Sequence, residues 1–533
     1  MNSVKVQTDL FRRFASKEMT KLTLSHYYTA GRHLLKHRNS ASDGGFSAFQ
    51  LTANFLYREL PVRIGQTATG LRQNPSPYNI RQIAQFRALL DAYADDLSRL
   101  VDRTPAPLTP GTNEQFVDTL RRLKKRHRAN MWTLSQGLRE LSTAINTSDA
   151  LIVPDFLRAG AAAAHAPHYY SSTMAYPALS APMAYLAPSG KMEMTDPSAW
   201  SASASASGVA DGGVADRAPR VLAPQQWAPN RVCSEFCDEA TCRNPRLWFS
   251  DGTQRCAENQ TRRFFDWLYS MNLGTQLLIE DHVAIHDYGH NLVQIIQPLD
   301  IASRAARDAA AICQRHYGVA PPPIKLIAPT PAVTTTYVPH YLYSMLFQLL
   351  KNALRATIDH HAASLAAGQR RALPAVKLVM SSGDEDVAFK VSDEGGGIPL
   401  SQVDAIWSYL KTSTDPTADI AEDGLARKTG ARSSALSSIT FMSRASDMPL
   451  FGAGDGLPMA RQIARYFGGD LDLVSMEGVG TDVYLHLSRS RNVAEHTPDL
   501  STLLESSFPV LDPAQISASA AATSSSSSST ASI

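Results

Sequence analysis

The chain has 533 residues, 44% apolar and 19% charged, with a net charge of +2. That length accommodates two or three domains with sizeable cores. The near-neutral balance leaves no electrostatic footprint for nucleic acid or an anionic membrane surface, no apolar run reaches the roughly 18 residues of a membrane span, and five cysteines do not make a disulfide scaffold.

The first stretch, MNSVKVQTDLFRRFASKEM, carries Lys5, Arg12, Arg13 and Lys17 against Asp9 and Glu18. It suits a short mitochondrial presequence or the first helix of a domain. From about residue 10 to 150 apolar residues recur at helical spacing, as in Phe46 to Glu59, Asn79 to Leu100 and Asn113 to Ile145. Breaks are expected at Pro61 to Gly70, Pro75 to Pro77 and Pro105 to Gly111. Long helices with short connections predict an antiparallel bundle, assigned to residues 10–157 and resumed over 229–323. Between these parts, 158–228 is dominated by Ala, Ser, Pro and Gly and predicts a disordered insertion.

Cys233, Cys237, Cys242 and Cys256 follow, with three, four and thirteen intervening residues. This matches no standard zinc spacing, and free thiols are the simpler reading. A helix is expected from about Asn259, with His282, His286 and His290 four apart on one face. No acid or cysteine completes a metal set with them, so packing or surface histidines are preferred. Another helix runs from Leu299 to His316 and ends at Tyr317-Gly318.

The character changes over 324–491. Helix Tyr341 to Thr357 precedes the strand-like AVKLVMSS and DVAFKVSD, a Gly-rich turn, a long polar segment, a helix from Met459 to Phe467, and the strands DLDLVSM and GTDVYLHL. This predicts a layered α/β domain with a largely antiparallel sheet. Periodicity is lost after Arg491, and 492–533 reads as a disordered tail.

Four features of this second half carry chemistry. In the first helix, Met345, Leu346, Leu349, Leu350, Ala353 and Leu354 form an apolar face, with Gln348, Lys351, Asn352 and Arg355 opposite. Two amides and two cations suit a polyphosphate and its metal, although a solvated surface helix explains them too. Asp393 ends a strand and is followed by Gly395, Gly396 and Gly397, so a carboxylate could accept from an exocyclic amine while backbone approaches the ring. Gly452, Gly454 and Gly456 lead into a helix with Pro458 in its first turn, an arrangement that can cradle phosphates. Gly478 and Gly480 precede Thr481, where a hairpin turn is the simpler reading. Each is weak alone. Their order, Asn-bearing helix, D-x-G-x-G, GxGxG, G-x-G-T, is that of the Bergerat ATP-binding fold. Walker and ordinary protein-kinase motifs are absent.

A closer resemblance lies in YVPHYLYSMLFQLLKNALRAT, VSDEGGGIPL, GDGLPMARQIARYFGGDLDLVSMEGVGTDVYL and FLYRELPVRI. These stretches resemble the mitochondrial kinases of 2-oxo acid dehydrogenase complexes, over about residues 10–150 and 228–490. HYGVAPPPIKL, HVAIHD, GLREL and GTDVYLHL lean to the branched-chain enzyme, and ARYFGGDLDLVSMEG to the pyruvate enzymes, so the substrate complex stays open. The resemblance implies an α plus α/β architecture, with an N-terminal helical bundle followed by a Bergerat-fold α/β sandwich. It implies Mg-ATP-dependent phosphorylation of a serine on the dehydrogenase component, docking on lipoyl domains, a homodimer and the mitochondrial matrix.

Carried over by residue, Asn352 would bind Mg²⁺, with Lys351 and Arg355 along the phosphates. Asp393 would read adenine beside Gly395 and Gly397, with Thr481 supporting that side. Thr412 and Ser413 match a nucleotide-contacting lid pair, and Gly452, Ala453, Gly454, Asp455, Gly456 and Leu457 would wrap the phosphates.

The departures are specific. Gln348 stands where the family has the glutamate taken as general base, and Ser344 where it has a histidine. A glutamine cannot accept the substrate proton at ordinary pH. Asp455 replaces an aromatic residue, and the last tryptophan is Trp407, so the family's C-terminal Asp-Trp dimer contact has no counterpart. Two alternatives therefore stand beside the kinase: a weakened nucleotide-gated regulator of the complex, and a histidine kinase using His282 or His286.

Overall fold

The computed structural model describes residues 2–38, 44–107, 109–153, 252–329, 333–366, 372–410, 456–498 and 500. The expected insertion at 158–228, Cys233, Cys237, Cys242 and most of the expected tail lie outside them.

Among the described residues six helices build the N-terminal part: α1 (Asn2–Ala15), α2 (Leu24–Arg38), α3 (Gly44–Gln73), α4 (Ala84–Ser98), α5 (Pro110–Asn146) and α6 (Gly252–Tyr288). Helix α3 packs against α1, α4 and α6, and α5 closes the bundle against α4 and α6. The stripes that do this are apolar at helical spacing: Leu56, Leu60 and Ile64 on α3, Phe116 and Leu120 on α5, Phe264 and Leu268 on α6, all buried. Thr109 starts α5 with a reciprocal cap. Its hydroxyl accepts from the Thr112 backbone N–H (3.2 Å), and the Thr112 hydroxyl accepts from that of Thr109 (2.9 Å).

Two boundaries differ from expectation. Helix α3 continues through Pro61, where a break was expected. Proline removes one backbone donor, and the buried flanks Leu60, Val62 and Ile64 hold the helix together regardless. Helix α6 ends at Tyr288, which leaves His290 beyond the helix and dissolves the four-apart trio. The N-terminal stretch forms a domain helix, with Phe11 and Phe14 buried against α3.

The second part begins earlier than residue 324. Strand β1 (Gln294–Ile296) pairs antiparallel with β3 (Thr335–Tyr337), and α7 (Pro298–Tyr317) packs along α8 (Pro339–Ala366), so these elements belong to the α/β domain. A five-stranded sheet runs β2-β4-β5-β7-β6, from β2 (Ile324–Ile327), β4 (Val376–Ser382), β5 (Asp386–Asp393), β6 (Asp470–Met476) and β7 (Gly480–Ser488). Among the described strands only the β2–β4 pair is parallel. Alternate residues Val387, Phe389 and Val391 on β5 and Val483, Leu485 and Leu487 on β7 face the core under α8 and α9 (Gly456–Tyr466).

The sequence pattern missed β1, β2 and β3. Two have three residues and the third is a mostly exposed edge, too short or too uncovered to show alternation. The tail also begins later than 492. Ala494 bridges Thr23, and Glu495 and Thr497 are buried. No helix among the described residues is long and apolar enough to cross a membrane.

Candidate active site

Helix α8 organises the site. Its apolar residues Met345, Leu346, Leu349, Leu350, Ala353 and Leu354 are buried in the core. The polar face is covered too. Ser344 is 8% exposed, Gln348 6% and Lys351 5%, while Asn352 and Arg355 are half-buried. A solvated surface helix does not fit those values. Arg355 pairs with Asp359 at 3.5 Å.

The two glycine regions that are described meet this helix at different heights. At one end, a β-carbon on Gly456, the first residue of α9, would stand 3.1 Å from Gln348 Oε1. At the other, a β-carbon on Gly395 would stand 2.6 Å from Ala356 Cβ, and one on Gly396 2.3 Å from His360 Nδ1. Residues 348, 352, 356 and 360 lie one above another on a helix. Eight residues of helical rise separate the two ends by about 12 Å, with Asn352 between them. Sequence reasoning missed Ala356 and His360, although continuing the four-residue stripe past Asn352 would have found them.

The Asp393 end is built mostly from backbone. Strand register sets Asp393 beside Thr481, which brings the two glycine turns together. Gly478 N–H donates to Gly396 O (2.8 Å) and Gly396 N–H to Val479 O (3.3 Å). Gly396 and Gly397 have φ of +80° and +69°, a region closed to most side chains. Gly480 approaches so closely that a β-carbon would lie 2.0 Å from Asp393 O. The turn at Gly478 is therefore a hairpin turn and a wall of the site at once. Ser475 Oγ accepts from Ile398 N–H (2.7 Å) and sits 3.0 Å from Thr481 Oγ1.

Asp393 Oδ1 accepts from Gly395 N–H at 2.9 Å. Burial pushes its carboxyl above the usual carboxylate value, against the backbone N–H groups of Gly395 and Thr481, which favour the ionised form. A partly desolvated acceptor at a strand end, with backbone on either side, is suited to the amine of a planar base.

The Gln348 end is the N-terminus of α9, which with its backbone N–H groups and dipole is an anion site. Pro458 is buried in the first turn and Leu457 packs on the core. Thr412, Ser413, Gly452, Ala453, Gly454 and Asp455 lie outside the described residues. The chain leading toward them is fixed to the helical bundle, where Tyr409 stacks on Tyr269 (5.1 Å) and its hydroxyl donates to Asp266 (2.7 Å), and to α9, where Trp407 lies under the Arg461 guanidinium (4.4 Å).

Among the described residues no group of three or more His, Cys, Asp or Glu could hold a metal. An ion at Asn352 would therefore be held largely by phosphate oxygens, with one protein amide oxygen, a donor set that suits Mg²⁺. His282 is 2% exposed, neither ring nitrogen has a hydrogen-bond partner among the described residues, and burial pushes its pKa down to about 4. That places it out of reach of a phosphoryl donor. His286 lies 3.2 Å from Glu114 and from Asp287 on the bundle.

Comparison with known proteins fits both halves. Residues 30–160 match the family described as mitochondrial branched-chain alpha-ketoacid dehydrogenase kinase. Residues 338–491 match the histidine kinase-, DNA gyrase B- and HSP90-like ATPase family. The first match points to a 2-oxo acid dehydrogenase kinase in the N-terminal part and the second to an ATP-binding domain of that superfamily in the C-terminal part.

Among similar proteins, the mitochondrial pyruvate dehydrogenase (acetyl-transferring) kinase of Arabidopsis thaliana is 36% identical over 249 residues, 45% of this chain and 61% of that one. The Schizosaccharomyces pombe enzyme of the same name is 35% identical over 245 residues, 45% of this chain and 52% of that one. Isozyme 3 of Homo sapiens is 34% identical over 237 residues, 42% and 52% of the two chains. The match thus spans about half to three-fifths of the length of these relatives.

Proposed function

We propose that this protein is a serine kinase that uses Mg-ATP to phosphorylate, and so inactivate, a mitochondrial 2-oxo acid dehydrogenase complex. The observation that carries this reading is the stripe Gln348–Asn352–Ala356–His360, capped at one end by Gly456 and at the other by the interlocked turns around Asp393. It offers a base site, a metal-binding amide and a helix N-terminus in the order that a nucleoside triphosphate presents its parts. The names of the relatives support the substrate class.

In this reading Asp393 accepts from the adenine amine, while Gly395, Gly397 and Thr481 bring backbone against the ring. Asn352 would hold Mg²⁺, which would supply charge neutralisation on the phosphates. Lys351 and Arg355, with the run from Gly452 through Ala453, Gly454 and Asp455 to Gly456 and Leu457, wrap the phosphates. Thr412 and Ser413 contact the nucleotide from the lid. Gln348 and Ser344 hold the acceptor hydroxyl by hydrogen bonds and take no proton; as the new O–P bond forms and the bond to ADP breaks, that proton passes to water or a phosphate oxygen. Transfer then rests on positioning and electrostatics, and is slow but not absent. Docking on a lipoyl domain, homodimerisation and location in the matrix belong to the same proposal.

The test is transfer of labelled phosphate from Mg-ATP to purified pyruvate and branched-chain dehydrogenase complexes, with Asn352→Ala as the blank. Label on one dehydrogenase, lost in the blank, is the expected result and names the substrate. ATP binding without label on either complex would overturn the kinase reading in favour of a nucleotide-gated regulator.

A further inference from the structure

Helix α9 has two ends, and only one faces the nucleotide site. Its last residue, Tyr466, is fully buried and reaches a charged cluster drawn from four separate stretches of chain. The Tyr466 hydroxyl donates to Glu495, whose carboxylate also takes the Arg63 guanidinium, with Arg63 Nη1 3.3 Å from Glu495 Oε2. Arg63 Nε bonds Glu59 at 3.0 Å, and its Nη2 donates to Thr20 O at 2.8 Å. Glu59 and Glu495 accept from the backbone N–H groups of Thr20 (3.0 Å) and Leu22 (3.2 Å). The side chains of Arg63 and Glu495 are 1% and 0% exposed.

Gly274 on α6 makes room for this meeting: a β-carbon there would lie 2.2 Å from the Tyr466 hydroxyl and 2.6 Å from Arg63 Nη1. Beyond the cluster, His496 N–H donates to Tyr466 O (2.8 Å) and fastens the helix end again.

A buried cluster with one cation and two carboxylates is a costly way to hold a fold, since apolar packing usually serves as well. What it supplies is a fixed geometry. Glu59 and Arg63 belong to the helical bundle, and Tyr466 to the helix whose first residue, Gly456, faces Gln348. Eleven helical residues make a rod of about 16 Å, so displacement at Tyr466 is carried to Gly456.

We propose that Arg63, Glu495 and Tyr466 are positioning residues through which the helical bundle sets the phosphate end of the nucleotide site. The proposal rests on the nucleotide-binding reading above, and it assigns the cluster no contact with nucleotide. The base end is held independently, by strand register and paired turns, so the two ends should respond differently.

The experiment compares adenosine with Mg-ATP binding by calorimetric titration of the full chain, native and Tyr466→Phe. Loss of the hydroxyl should weaken Mg-ATP binding about tenfold, the scale of one hydrogen bond to a charged group, and leave adenosine binding unchanged. Equal weakening of both ligands, or no change in either, would overturn the proposal. Should Tyr466→Phe fail to fold by circular dichroism, Glu495→Gln decides. It keeps the shape, leaves Arg63 paired with Glu59, and should weaken Mg-ATP selectively. A native chain that binds neither ligand would refute the nucleotide reading itself, whereas native binding with unselective variants refutes only the positioning role.

Discussion

At the Asp393 end of the site backbone meets backbone at the closest approaches. Glycines at φ of +80° and +69° fold one turn onto another, and strand pairing fixes Asp393 beside Thr481. At the Gln348 end, side chains decide, and there the chain carries Ser344 and Gln348 in place of the histidine and glutamate expected from its resemblance. Backbone geometry tolerates little substitution, because a misplaced atom meets another backbone atom. A side chain at the end of a buried helix can exchange its chemistry and keep its shape, as glutamine does for glutamate. The difference teaches that nucleotide recognition and catalytic power can vary separately in this fold.

The largest expected effect sharpens this contrast. Gln348→Glu should raise the rate of phosphoryl transfer by about 10²–10⁴-fold, the usual contribution of a general base, with little change in Mg-ATP affinity. Single-turnover transfer to a dehydrogenase complex, beside a nucleotide titration, checks both halves. An unchanged rate would mean that the phosphate end is not limited by the missing base, and the separation drawn above would lose its catalytic arm.

Much of this was legible in the sequence, for identifiable reasons. The apolar stripe of α8 and the alternation in β4 to β7 follow from burial on one face, which periodicity reports directly. The closeness of the turns at Asp393, Gly395 and Thr481 was legible because glycines at close approaches leave a spaced signature. The closeness of Gln348 to Gly456 was not legible, because sequence order holds them 108 positions apart and only tertiary packing joins them. Glu495 was placed in a tail because an isolated acid beyond the last strand looks solvated. Its burial depends on Arg63, more than 400 positions earlier. Helix α3 was expected to break at Pro61 because local propensity was weighed without the core that overrides it.

Glycine replacement separates the two ends at an intermediate scale. A β-carbon at Gly480 would lie 2.0 Å from the Asp393 carbonyl oxygen, and backbone there cannot give way without parting β5 from the turn. Gly480→Ala should weaken binding of adenosine and Mg-ATP alike, by about 10–100-fold for an overpacking cost of roughly 1–3 kcal/mol. At Gly456 the β-carbon meets only the far end of Gln348, at 3.1 Å, which can turn aside. Gly456→Ala should leave adenosine binding intact and change Mg-ATP binding only a few-fold. Equal losses from both replacements would break the contrast between a rigid and an adaptable end.

The last effect is a pH dependence confined to the Asp393 end. Only the ionised carboxylate leaves both oxygens free to accept from a base amine and from Gly395 N–H. Burial raises its pKa above 3.8, so protonation begins at a higher pH than for an exposed aspartate. Adenosine binding should therefore weaken as pH falls toward that raised value, by about tenfold at most, the scale of one charge-assisted hydrogen bond. Folding stability responds through this group in the opposite direction. A carboxyl with a raised folded-state pKa contributes stability that is present below its unfolded pKa and is lost as pH rises through the folded one. Asp393→Asn should flatten both trends and bind weakly at every pH, since its amide nitrogen would turn one donor toward the N–H groups of Gly395 or Thr481. Adenosine titrations and urea midpoints across pH 4 to 8 separate the two trends. A native binding curve flat over that range, with a flat curve in the variant, would remove Asp393 from base recognition and leave the interlocked glycine turns to account for it alone.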